Sequence, residues 1–207
     1  MAGSDTFSTF INPASVPLGV TNGICLAQTT AGAANLTING SLATLGVATL
    51  LPVRNVTVST ASNNSGITFI VTGLIGDGTT VVENITGPGA GLTVATTALF
   101  SSVSQVAVSG AVTGNATVGS GTTVLATIFA GRTRLRGIYF VNTGTAGILD
   151  FQNGNSGLST SLLKFMTSGG TTSADYPDIP DEGVLFSDGA YLVYPTTIST
   201  GITVFFN

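Results

Sequence analysis

Gly66-Ile67-Thr68-Phe69-Ile70-Val71-Thr72, then Gly76-Asp77-Gly78, then Val81-Val82-Glu83-Asn84-Ile85-Thr86 is the stretch on which the fold turns. Ile67, Phe69 and Val71 fall on one face of an extended chain, because successive side chains of a strand point to opposite sides. Gly76-Asp77-Gly78 supplies the positive-φ positions of a tight hairpin, and the Val-rich run after it brings the chain back. Two antiparallel strands are therefore expected here.

The same grammar extends in both directions. Upstream, Leu36-Thr37-Ile38 and Val56-Thr57-Val58-Ser59 alternate apolar with hydroxyl residues; downstream, Gly87-Pro88-Gly89-Ala90-Gly91 is a loop with no capacity for helix, and Phe100 to Val108 and Ala116-Thr117-Val118 read as further strands. A second set begins near Thr122: Val124 to Phe129, Arg134 to Asn142, Gly147 to Gln152, Leu162 to Met166, Val184 to Phe186, Tyr191 to Tyr194 and Ile202 to Phe206, with Asp188-Gly189 marking a hairpin between the fifth and sixth. Most of the aromatic residues lie in this second set. Residues 1–21 contain Pro13 and Pro17 and show no strand pattern, so they are expected to form an extended arm of the kind that reaches a neighbour. No apolar period of 3.6 residues persists over three turns. The expected fold is all-β: an arm over 1–21 and two consecutive antiparallel β-sandwich modules, immunoglobulin-like or jelly-roll-like, over 22–121 and 122–207, the second richer in aromatics.

Composition narrows the function. Only 7% of the 207 residues are charged while 43% are hydrophobic, and the polar share comes from Thr, Ser and Asn. A surface of that kind loses little rotamer entropy on docking. Histidine is absent, which removes the usual general base, the commonest zinc ligand and the Ser-His and Cys-His nucleophile pairs. Ser161-Leu162-Leu163-Lys164 matches the S-x-x-K pattern but lacks the helix and the companion motifs that catalysis by that pattern needs. No Trp offers a sugar platform for a glycosidase. The reading is of a protein that is not an enzyme and carries no cofactor or metal. Cys25 sits between apolar neighbours and reads as a buried filler.

The mean hydropathy of +0.52 does not make a membrane span, because the most apolar run, Leu42 to Val53, is too short. The start, Met1-Ala2-Gly3-Ser4-Asp5, has no basic residue and leads into no apolar stretch, so no secretory signal is expected. A net charge of −4 argues against binding nucleic acid.

The runs Arg54-Asn55-Val56-Thr57-Val58, Ser65 to Phe69, Gly73 to Gly78, Glu83-Asn84-Ile85-Thr86-Gly87-Pro88 and Phe100 to Val103 resemble a β module of structural proteins of tailed bacteriophages. Arg134 to Tyr139, Ile179 to Phe186 and Ile202 to Phe205 look like a second such module. The resemblance implies a virion component, first a capsid decoration or cement protein on the outer surface of the shell, with the major capsid protein and copies of itself, as a homotrimer, for partners. A tail, fibre or receptor-binding component is the alternative. No functional residue set is carried over by it.

Two charged groups are interface candidates. Arg132, Arg134 and Arg136 are spaced to put three guanidinium groups on one strand face. They can dock onto carboxylates of a shell protein or sister subunit, bind phosphate, or form a solvated face paired with acids of their own domain. Asp175, Asp178, Asp181 and Glu182 hold four of the nine acids within eight residues, stiffened by Pro177 and Pro180. That segment either pairs with the arginines, within or between subunits, or is a solvated loop. Calcium is a further reading of it, without an EF-hand spacing.

Overall fold

The computed structural model describes residues 5–207. It is all-β, with strands numbered β1 to β16 in chain order that form hydrogen-bonded sheets of five and eleven strands. The only helical element among the described residues is a 3-10 turn over Pro13–Ser15, and no helix is long and apolar enough to cross a membrane. The chain divides into two compact units: Leu18–Thr122, and Thr123–Asn207 together with the segment ending at Pro17.

In the Leu18–Thr122 unit, β5 (Val47–Thr60), β8 (Thr93–Val108), β6 (Thr68–Ile75) and β7 (Thr80–Thr86) lie side by side in that order. The short strands β2 (Cys25–Thr30), β3 (Ala34–Leu36) and β4 (Ala43–Thr44) pair with β9 (Val112–Phe129), β8 and β5 respectively. The β6–β7 hairpin forms as its residues dictate, with Gly78 at φ +83° in the turn. Phe69 and Val71 face inward and are fully buried with Val56, Val58, Phe100 and Val106, in a core that is mostly aliphatic. Cys25 is buried in the same core, and loss of solvation pushes its thiol up to about 12.

β5, β8 and β9, at 14, 16 and 18 residues, are longer than the short segments expected from sequence. Polar side chains bridge the places where a ladder would otherwise break. Between Asn55↔Leu99 and Thr57↔Ala95 the register of β5 on β8 slips, so Thr96, Thr97 and Ala98 stand opposite Val56 alone. The two carboxylate oxygens of Glu83 accept hydrogen bonds from the Thr97 and Ala98 amides, each at 2.8 Å, and Thr96 Oγ1 accepts from the Val56 amide at 2.9 Å. Donors that lose a strand partner gain a side-chain one, and the strand runs on.

The other unit contains a five-stranded sheet: β1 (Phe7–Ile11), β16 (Ser199–Phe206), β10 (Thr133–Asn142), and, both against β10, β13 (Ser173–Asp175) and β14 (Val184–Phe186). Opposed to it in the core are strands of the larger sheet: β12 (Thr160–Thr167), β11 (Gly147–Asn153), β15 (Ala190–Pro195) and the end of β9. Phe140, Phe151, Phe186, Tyr194 and Phe206 pack among aliphatic residues in this core, which is richer in aromatic rings than the first.

Two expectations need correction. Part of the arm expected over 1–21 is a strand of its own chain: Phe7–Ile11 pairs with Phe206–Ile202 of β16, and the pairing stops just before Pro13. Residues 1–4 of that arm lie outside the described residues. Asp188-Gly189 is not a hairpin, because β14 pairs with β10 in the smaller sheet whereas β15 pairs with β11 and β9 in the larger. The chain changes sheet there. Gly189 has φ +97°, and a methyl group on it would lie 2.7 Å from the Tyr191 ring and 2.9 Å from the Phe129 carbonyl oxygen. Hairpin turn and sheet-crossing corner ask for the same residue, so the sequence signal does not separate them.

Candidate interaction surface

β10 carries the arginines, but not as one regular stripe. The strand begins at Thr133, so Arg132 precedes it and is exposed. Leu135 pairs with Phe206 and Gly137 with Phe205, leaving Arg136 as the extra residue of a bulge. A bulge re-aims the side chain it carries. Arg136 Nε donates to Asn207 Oδ1 at 3.0 Å and its Nη1 donates to the Asp181 carbonyl at 2.5 Å. Arg134 Nη1 donates to the Glu182 carbonyl at 3.2 Å. A methyl group on Gly183, where φ is +70°, would lie 2.7 Å from the Leu135 carbonyl oxygen, so glycine lets this loop lie close against β10.

Arginines and acidic segment therefore do meet within one chain, through main-chain carbonyls. No carboxylate of the segment forms an ion pair with Arg132, Arg134 or Arg136 among the described residues. Asp178, Asp181 and Glu182 are exposed, while Asp175 ends β13 and accepts from Ser173 Oγ at 2.9 Å. Among the described residues no three acidic or cysteine side chains converge as a metal site would require. The result is an acidic rim whose charges face solvent, with two guanidinium groups bound beneath it.

Ser161 and Lys164 sit on β12, a strand, and both meet Asp150 of β11. Ser161 Oγ donates to one Asp150 oxygen, and Lys164 Nζ lies 3.9 Å from the other. Gln152 Nε2 donates to that second oxygen at 2.9 Å. The carboxylate stands between serine and lysine, which is a cross-strand polar cluster and not a base addressing a nucleophile.

The feature that sequence reasoning missed is the outer face of the five-stranded sheet. Register puts Phe10, Thr203 and Tyr139 in one row and Ser8, Phe205 and Gly137 in the next, all directed away from the core residues Ile202, Val204, Ile138 and Phe140. Phe10 is 65% exposed and leans over Gly201, where a methyl group would come within 3.0 Å of its ring; Phe205 borders Gly137 in the same way at 3.4 Å. Tyr176 stacks on Tyr139 with ring centroids 4.5 Å apart and remains 73% exposed. The rings spread over a glycine floor with only Ser8 and Thr203 as polar neighbours in these rows. No signal in the sequence marks this, since Phe205 and Phe206, or Tyr139 and Phe140, differ only in which side of the sheet each faces.

Compared with models of protein families, with curated proteins and with solved structures, the chain matches none.

Proposed function

We propose that this chain is a structural component of a tailed-phage virion, a decoration or cement protein that sits on the outer surface of the capsid, binds the major capsid protein and acts without catalysis or cofactor. On this reading the two units are antiparallel sandwich modules of immunoglobulin-like or jelly-roll-like kind, and the protein binds as a homotrimer, with neither nucleic acid nor membrane as partner. The resemblance of residues 54–103 and 134–205 to phage β modules supports it. So does the outer face formed by Phe10, Phe205, Tyr139 and Tyr176, the single observation that carries most weight. Phe10 and Tyr176, 65% and 73% exposed, forgo much of the roughly 1.5–3 kcal/mol per side chain that full burial supplies, and aromatic residues are what the centres of protein interfaces favour. The acidic rim beside that face supplies charge for register and partner choice.

The experiment is co-sedimentation of the purified full chain with emptied capsid shells stripped of accessory proteins. Saturable binding that the double substitution Phe10→Ala, Phe205→Ala weakens supports the proposal. Shells that pellet without the protein at micromolar concentration end it.

A second reading, a tail, fibre or receptor-binding component, is favoured by one observation. The outward face of Tyr176 is an open ring of the kind on which a sugar stacks. Binding to host cells together with no binding to shells would select it.

A further inference from the structure

The hairpin between β4 and β5 closes through two residues, Leu45 and Gly46, with Thr44 paired to Val47 across it. Both loop residues have positive φ, +51° and +80°, as in a type I′ turn. That turn asks for Asn, Asp or Gly at its first position, because a Cβ is crowded in the left-handed region. Leucine stands there instead, and among the described residues it is the one residue other than glycine with positive φ. Nothing in its own chain offsets the strain: the Leu45 side chain is fully exposed, and even a methyl group placed on Gly46 would meet no atom within 4 Å. The tip stands clear of the protein, and no charged residue occurs between Asp5 and Arg54 to favour its solvation. Strain held without local packing points to a use elsewhere.

The other unit carries a recess of matching chemistry. An open, mostly apolar cleft of about 380 Å³ is lined by Ile148, Val193 and Pro195, with Asp150 and Lys164 also in its wall. Ile148 and Asp150 alternate along β11 with the core residues Leu149 and Phe151, and Val193 lies between Leu192 and Tyr194 of β15, so these walls stand on the sheet face turned away from the core.

We propose that Leu45 of one copy of this chain inserts into the cleft walled by Ile148, Val193 and Pro195 on a second copy. The leucine leaves water for apolar walls. The hairpin brings no charge into the cleft, so no ion is stranded there. Lys164 Nζ is half exposed and only 3.9 Å from Asp150, which leaves it donors for the carbonyls of the incoming turn. A lipid surface suits the tip less well, because no Lys or Arg flanks it to meet anionic headgroups. A carbohydrate offers polar groups that leucine cannot satisfy. Knob and cleft are different surfaces, so each copy gives one contact and receives another, which suits a cyclic assembly such as the trimer proposed above. The inference rests on that reading only in taking copies of the chain to associate.

Sedimentation velocity of the full chain at micromolar concentrations reads this contact without any shell, so shell binding stands or falls separately. The wild-type chain should associate. Leu45→Asn, which removes the knob, and Ile148→Asp, which spoils the cleft, should each weaken association about tenfold or more. Ile148 is 41% exposed, so its substitution leaves the fold in place. Mixed in equal amounts, the two variants should pair with each other, because one keeps its cleft and the other its leucine. In the Ile148→Asp background, where both chains are monomers, Leu45→Asn should raise the melting temperature by about 2–4 °C, since Asn-Gly suits the turn that Leu-Gly strains. Four results overturn the proposal: a wild-type chain that stays monomeric, association that survives either substitution, variants that fail to pair when mixed, or a melting temperature that Leu45→Asn does not raise.

Discussion

The outward rows shared by β5 and β8 in one unit and the outer face of the five-stranded sheet in the other are built on different terms. In the Leu18–Thr122 unit the outward row of β5 and β8 is Thr57, Ser59 and Thr93, and the Ser59 and Thr93 hydroxyls bond each other at 2.6 Å. Gln105 of β8 reaches Asn35 of β3 at 2.8 Å. Those groups satisfy one another or water and ask for nothing further. In the other unit the corresponding face of the small sheet is Phe10, Phe205, Tyr139 and Tyr176. Similar alternating strands make a polar row that satisfies itself or an aromatic one that does not, according to what stands on their solvent side. On the proposed reading, docking onto the shell belongs to the aromatic one.

The comparison breaks most visibly if buried and exposed rings are exchanged. Phe100→Ala in the aliphatic core and Phe151→Ala in the aromatic core should each cost about 3–5 kcal/mol by denaturant titration, because both side chains are fully buried. Phe10→Ala should change stability by no more than about 0.5 kcal/mol while lowering binding to shells. A Phe10→Ala loss comparable to that of Phe151→Ala would mean that the outer face is a second core of its own molecule.

In the Leu18–Thr122 unit Glu83 holds the slipped register of β5 on β8. Glu83→Ala removes two charge-assisted bonds and leaves the Thr97 and Ala98 amides without their acceptors, so a loss of about 2–3 kcal/mol is expected. Faster hydrogen exchange at those two amides would locate the damage. In the second unit Arg136→Met should cost about 1–2 kcal/mol, since it unties the Asp181 carbonyl and Asn207. Arg132→Met should leave thermal unfolding unchanged, because Arg132 lies outside the strand in solvent. Equal effects at the two positions would restore the regular three-arginine stripe that the bulge at Arg136 abolishes.

The effect that vanishes at neutral pH is that of a buried thiol. The Cys25 thiol is raised from 9.0 to about 12 by burial, so the folded state holds its proton longer than the unfolded state does. Stability tied to that proton is complete below pH 9 and declines as the pH climbs from there toward 12. Cys25→Ala should flatten this alkaline slope in the Leu18–Thr122 unit. The native thiol should react with a disulfide reagent at pH 8 only as fast as the unit unfolds.

The strand-by-strand pattern was legible because burial imposes period-two alternation: Phe69 and Val71 went inward as their spacing requires. What stayed hidden was set by partners distant in sequence. Phe7–Ile11 reads as irregular alone and becomes a strand only against β16, almost 200 residues away. The bulge at Arg136 exists in the register between β10 and β16, and Gly183 lets the loop whose carbonyls hold the arginines lie close against β10. Arg134, Arg136 and residues 181–183 do come together, yet the carboxylates that drew attention in the sequence take no part. Local pattern marks where strands run; the pairing of edges and the aim of side chains at bulges follow from the whole sheet.

Copy number per particle separates a shell protein from a tail component. Intact particles containing this chain, purified and quantified by mass spectrometry against isotope-labelled standards, should hold it in a fixed ratio to the major capsid protein, of the same order as the number of shell subunits. A handful of copies per particle, or protein that washes off without a saturable site, would contradict a role on the capsid surface.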